Sequence, residues 1–265
     1  MRVYGVDFSG AVDAGRKIWV ASGVVEKGSL RIKECRRGED LPGSGRDRDQ
    51  CLAALREFIR SQRGCAFGLD FPFGLPQALV KEATWEEFVL AFPDHYSTPE
   101  EFRAACRRAS CGVELRRATD RESRTPFSPY NLRVYRQTYF GIRELLAPFA
   151  RDGSACVPPM QRPLPGKPWI LEICPASLLK REKLYIPYKG GSKAHRAARA
   201  RILRKLETAV PLSLPSRALR RMLLDDRGGD ALDSVIAAGG TFRALRDPAG
   251  LDAAGAYALE GYVYV

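Results

Sequence analysis

The 265-residue chain predicts an α/β domain, a mixed β-sheet flanked by helices and interrupted by a helical and loop insertion. Three observations predict it. The first 37 residues hold three apolar segments joined as a meander. Apolar strands then alternate with amphipathic helices. No internal repeat or long low-complexity linker divides the chain. One domain over residues 1–265 is expected, with an insertion over about 75–165 between the strand ending at Asp70 and the strand carrying Glu172.

"RVYGVDF" is rich in β-branched and aromatic residues and reads as the first strand. "RKIWVASGVVE" and "SLRIKECRR" follow, and the turn residues of "EKGS" join them as a hairpin. "RDQCLAALREFIRSQ" places Leu52, Leu55, Phe58 and Ile59 at helical spacing. "GCAFGLDFPFGLP" is a strand that ends on an acid, Asp70, before a Pro/Gly break. "TWEEFVLAF" and "TPEEFRAACRRA" are short helices, the second with a Thr cap and Pro in its first turn. The stretch from about 110 to 130 is polar, dense in arginine and without apolar periodicity, so an exposed loop is expected there. "NLRVYRQTYFGIRELLAPF" predicts a longer helix. "KPWILEICPAS" is a further strand, with Glu172 near its end. "SKAHRAARARILRKLE" is a basic helix, "DDRGGDALDSVIAAGGTFRAL" a helix rich in small residues, and "EGYVYV" a terminal strand or extended tail.

Right-handed crossovers place the Asp70 strand parallel to the first strand. Sites in such sheets lie beyond the C-terminal ends of parallel strands. Asp7, Asp70 and Glu172 all sit at that end, and neighbouring strand tips are ~4.8 Å apart. Asp230 and Asp233, three apart, share one helix face. Acids gathered there repel one another and raise one another's pKa. A divalent metal relieves this, because carboxylate oxygens are the ligands Mg²⁺ takes. Two such ions ~4 Å apart activate water and stabilise the leaving oxygen of a phosphodiester. Each acid also has a structural alternative: Asp7 and Asp70 as turn caps, Asp230 as a helix N-terminal acid, Glu172 as the partner of an arginine.

The formal net charge is +12, which suits a polyanion such as nucleic acid, although only ten of the 43 basic residues are lysines and an arginine-rich composition alone produces such a surplus. Arg121 and Arg124 of "TDRESR" offer a phosphate clamp or a solvated loop. Lys193, Arg196 and Arg199 of the basic helix track a phosphate backbone or simply form a solvated face. Lys189 of "YIPYKGG" is a further candidate phosphate contact. No apolar run reaches the ~20 residues a membrane span needs, and no signal-peptide pattern opens the chain. The seven scattered cysteines, with no C-x-x-C pair, suggest reduced thiols and a cytoplasmic protein.

"YGVDFSGA", "GLDFPFGLP", "TDR", "LEICPAS" and "GDALDSVIAA" together resemble the predicted-nuclease family called domain of unknown function 429, assigned to the ribonuclease-H-like superfamily. The resemblance runs from Val3 to Val265. It implies a ribonuclease-H-like fold, Mg²⁺ or Mn²⁺ as cofactor, and metal ligands at positions matching Asp7, Asp70 and Asp230 or Asp233. The family's late helix often begins with a His where this chain has Asp230. The expected activity is metal-dependent hydrolysis of nucleic-acid phosphodiesters. Two other classes stand beside it: a catalytically silent nucleic-acid-binding module, and an actin-like phosphotransferase or ATPase. Actin-like kinases open on a similar strand and turn, but they need two copies of the fold, and no P-loop motif is present.

Overall fold

A computed structural model describes residues 1–247, 251 and 255–265. The sheet has seven strands: β1 (Arg2–Asp7), β2 (Trp19–Glu26), β3 (Ser29–Arg37), β4 (Cys65–Leu69), β5 (Trp169–Ile173), β6 (Leu212–Ser213) and β7 (Val263–Tyr264). Their order is β6-β3-β2-β1-β4-β5-β7. The expected meander is present, with β2 antiparallel to both β1 and β3. From β1 outward, β4, β5 and β7 are all parallel. "EGYVYV" therefore supplies an edge strand. The two-residue β6, too short to signal itself in the sequence, runs parallel to β3 on the other edge.

Helices α1 (Ala14–Lys17) and α2 (Arg48–Ser61) precede β4. Asp47 caps α2 by accepting from Asp49 N and Gln50 N. The chain between β4 and β5 carries α3 (Trp85–His95), α4 (Pro99–Ala109), α5 (Ala118–Glu122), α6 (Tyr135–Gly141) and α7 (Ala147–Asp152). The long helix expected over 131–149 is real but interrupted: α6 and α7 are joined by a π-turn at Ile142–Leu146. Pro148 has no N–H for the Glu144 carbonyl, and Arg56 Nη1 donates to that oxygen instead, at 2.8 Å. After β5 come α8 (Pro175–Arg181), α9 (Lys193–Ala209), α10 (Arg217–Asp225), α11 (Asp230–Ala244) and α12 (Tyr257–Glu260). No helix among the described residues is long and apolar enough to cross a membrane.

Two apolar layers sandwich the sheet, and period-2 alternation assigns side chains to them. Tyr4, Val6, Phe67 and Leu69 face α2 and the aromatic residues of the β4–β5 excursion. Val3, Ala21, Leu171 and Ile173 face α8 to α11. The 110–130 stretch departs from expectation. Arg117 is 0% and Asp120 1% exposed, because they form a buried ion network rather than a solvated loop.

Candidate functional site

The alternation that builds the two layers also aims the acids. Gly5 and Asp7 of β1, and Gly68 and Asp70 at the end of β4, share the α11 face of the sheet. Gly5 pairs with Gly68 across the strands, leaving a patch of bare backbone. A Cβ on Gly5 would lie 2.1 Å from Ser234 O and Ala238 N, and one on Gly68 would lie 2.0 Å from Thr241 Oγ1. Helix α11 therefore rests directly on the sheet, which its small residues allow. Its first turn, with Asp230 and Asp233, lies above the tips of β1 and β4. Asp70 N donates to Val6 O at 3.1 Å, extending the β1–β4 ladder to the acids themselves.

The result is a buried cluster of like charges. Burial, followed by the charges of Asp233, Asp230 and Asp70, holds the Asp7 carboxyl well above the usual carboxylate range. Burial and Asp233 push Asp70 up to about 8. Burial also raises Asp233. One cation answers part of this field. Lys189 Nζ lies 2.7 Å from Asp233 Oδ2 and 3.2 Å from Asp230 Oδ1. Burial opposes its charge, but Asp233, Asp7 and Asp230 outweigh burial and keep it protonated. Tyr188 OH donates to Asp233 Oδ1 at 2.6 Å.

Tyr188 and Lys189 are delivered by an irregular segment ahead of α9, and that segment is pinned. Arg199 Nη1 donates to Tyr188 O at 2.5 Å and to Gly190 O at 3.0 Å, and Nε donates to Leu224 O at 2.9 Å. Gly229, at φ +79°, starts α11 in the left-handed region, and a Cβ there would crowd the Tyr188 ring at 2.9 Å.

The acids floor a cleft of about 860 Å³. It brings together four of the five expected acids in one unit. Glu172 lines the same cleft but belongs to a different assembly. It lies on the opposite face of the sheet from Asp7, because Leu69 is its register partner and Ile173 takes the α11 face. Its Oε1 accepts from Arg117 Nη2 at 2.5 Å, and its Oε2 accepts from Arg117 Nη1 at 2.8 Å and Phe73 N at 2.9 Å. Arg117 also donates to both Asp120 oxygens. Glu172 is thus a fully engaged structural anchor, which corrects its assignment as a catalytic acid.

The basic candidates disperse. Lys189 alone of the six lines the cleft. Arg199 is 2% exposed and spends its guanidinium on backbone carbonyls, so it is not a phosphate contact. Arg196 pairs with Asp225, and Lys193 is exposed away from the cleft lining. Arg121 donates to Arg116 O, and Arg124 is exposed at φ +53°; neither lines the cleft. The sequence reading missed Lys17 and Arg133, exposed cations of the lining, and the ring of Phe127, whereas Tyr185, which also lines the cleft, lies in the "YIPYKGG" stretch that the sequence offers for base stacking or as a loop anchor. No short motif marks Lys17, Arg133 or Phe127, since they come from α1 and the β4–β5 excursion and meet only in the folded cleft.

The donor set suits a hard divalent cation. Asp7, 9% exposed, and Asp70 line the cleft, and neither side-chain carboxylate has a hydrogen bond or ion pair among the described residues. Among the described residues no three His, Cys, Asp or Glu side chains form a preformed cage. Mg²⁺ does not require one, since it keeps several waters and binds through one or two carboxylates together with substrate phosphate. In comparisons with known proteins, no family model, no curated protein and no solved structure matches the chain.

Proposed function

We propose that this chain is a divalent-cation-dependent nuclease of ribonuclease-H-like fold, hydrolysing phosphodiester bonds of a nucleic acid. The observation that carries the reading is the meeting in one cleft of Asp7, Asp70, Asp230 and Asp233 from three elements far apart in the chain. Buried like charges are costly to stability, and such a concentration is a mark of a functional site. The antiparallel β3-β2-β1 unit continued by parallel β4 and β5 supports the fold assignment, as do the motifs on these strands.

Asp7 and Asp70 would hold the cation at the adjacent tips of β1 and β4. When bound there, Mg²⁺ or Mn²⁺ supplies charge against the phosphate and lowers the pKa of a coordinated water. Asp233, fixed by Tyr188, orients the Lys189 ammonium into the cleft. Lys17 and Arg133 on the lining offer charge to flanking phosphates, and Phe127 and Tyr185 offer ring faces to bases. The surplus of positive charge over the molecule favours approach of a polyanion to an otherwise acidic floor.

The test is cleavage of labelled DNA and RNA, single-stranded, duplex and branched, with Mg²⁺ or Mn²⁺. Asp7→Asn should lower cleavage at least roughly 100-fold while binding is kept or tightened. It removes a ligand and also a charge that repels phosphate. Equal cleavage by wild type and Asp7→Asn would defeat the reading. A second reading, a non-catalytic nucleic-acid binder, draws on Lys189, which already neutralises part of the acid cluster. Retained binding with no cleavage of any substrate would favour it.

A further inference from the structure

The four carboxylates of the floor are not equivalent. Both oxygens of Asp233 are taken, one by Tyr188 at 2.6 Å and one by Lys189 at 2.7 Å, and Lys189 also reaches Asp230 at 3.2 Å. Asp7 is nine-tenths buried and faces the cleft, and its carboxylate has no hydrogen bond or ion pair among the described residues. The Asp70 carboxylate beside it has none either. The floor is therefore split between a pair of acids in contact with the ammonium and a pair that feels its charge without contacting it.

We infer that Lys189 is a resident cation standing where a second metal ion would sit, so that the site takes one divalent cation, held by Asp7 and Asp70. The inference rests on the nuclease reading and specifies its metal stoichiometry. Occupied oxygens and a neighbouring like charge decide the count: Tyr188 and Lys189 already hold both Asp233 oxygens and Lys189 also reaches Asp230, so a second divalent ion there would lie beside an ammonium. Four carboxylates facing two divalent ions and an ammonium would gather five positive charges against four negative ones. Like charges a few ångströms apart repel, and water at a half-exposed ammonium screens this only in part. One divalent ion with Lys189 leaves a single negative charge, which the cleft's cationic lining can offset.

The lysine is built into this position. Arg199, buried and three times bonded to backbone carbonyls, clamps the backbone on either side of Lys189, and Gly190 N donates to Arg227 O at 2.7 Å. A Cβ on Gly229 would lie 3.2 Å from Lys189 Cγ, so the start of α11 is shaped to let the lysine stem pass. Its side chain is 52% exposed on the cleft side. An ammonium has three N–H donors, of which two are used by Asp230 and Asp233. The third remains for a phosphate oxygen of the substrate. Arg199, which the sequence assigns to phosphate, is a positioning residue for this arrangement.

The experiment counts Mn²⁺ bound per full-length chain, by electron paramagnetic resonance of free Mn²⁺ during titration. Wild type should bind one Mn²⁺, and Asp7→Asn should weaken that binding about tenfold or more. Lys189→Gln should admit a second Mn²⁺ per chain, whereas Lys189→Arg, keeping the charge, should remain at one. Circular dichroism verifies folding, which the half-exposed side chain should not compromise. Two Mn²⁺ per wild-type chain would overturn the inference, as would one Mn²⁺ of unchanged affinity in Lys189→Gln, or none in wild type. If Asp7→Asn loses cleavage yet wild type binds two Mn²⁺, the nuclease reading stands and this inference falls. If wild type binds one and Lys189→Gln two, yet no substrate is cleaved, the inference stands and the nuclease reading falls.

Discussion

Asp70 shows how a single residue records the cost of the site. Its folded pKa of about 8 lies far above the ~3.9 of an unfolded aspartate. A carboxyl raised in this way favours the neutral form in the folded state. Its contribution to stability is complete below about pH 4 and is lost as pH rises through about 8. Metal-free wild type should therefore lose stability relative to Asp70→Asn between those values, on the order of a few kcal/mol. Urea denaturation of both proteins at pH 4, 6 and 8 in chelator measures it, and parallel pH profiles would refute it. Mn²⁺ at pH 8 should return stability to wild type but not to the variant, because a bound cation favours the charged form.

Among the elements, α11 decides whether a site exists. The Gly5–Gly68 pair lets this helix lie on sheet backbone, and only that depth brings Asp230 and Asp233 over the strand tips. Gly5→Ala should cost about 3 kcal/mol or more, because the obstructing atoms, Ser234 O and Ala238 N, are backbone and cannot rotate away. Chemical denaturation gives the cost. As a control, Gly28, at φ +76° with nothing within 4 Å of an added Cβ, should lose only about 1 kcal/mol on change to Ala. A loss at Gly5 no greater than that at Gly28 would show that α11 does not depend on the close approach. Arg117 illustrates the complementary case: a cation with no role in the acid cluster ties α5 to β5 through Glu172, and through Glu260 O to the chain ahead of β7.

For the whole molecule, a formal charge of +12 coexists with an acidic floor. Under the proposed function, the net positive charge would favour approach of a polyanion, and a bound cation would offset the acids of the floor. Affinity for nucleic acid should fall about 100-fold between ~50 and ~200 mM salt, as expected when roughly four phosphates are neutralised. Fluorescence anisotropy of a labelled oligonucleotide, titrated at several salt concentrations with Asp7→Asn to prevent cleavage, tests this. A constant that does not change with salt would exclude a polynucleotide held by its backbone.

The sequence by itself determined the main strands, the principal helices and the placement of Asp7 and Asp70 at strand ends. It also determined that Asp230 and Asp233 share one helix face. These follow from periodicities of two and 3.6 residues, which are local and readable without knowing what lies opposite. Only the tertiary structure decided which charges meet. Glu172 differs from Asp7 by the parity of one position in its strand, and parity has meaning only once the register Leu69↔Glu172 exists. Arg199 and Lys189 read alike as candidate phosphate contacts, yet one is buried among carbonyls and the other bridges two aspartates. Their partners lie up to 44 residues away along the chain, as Lys189 and Asp233 do. A charged side chain's role depends on the field around it, and that field is assembled only by folding.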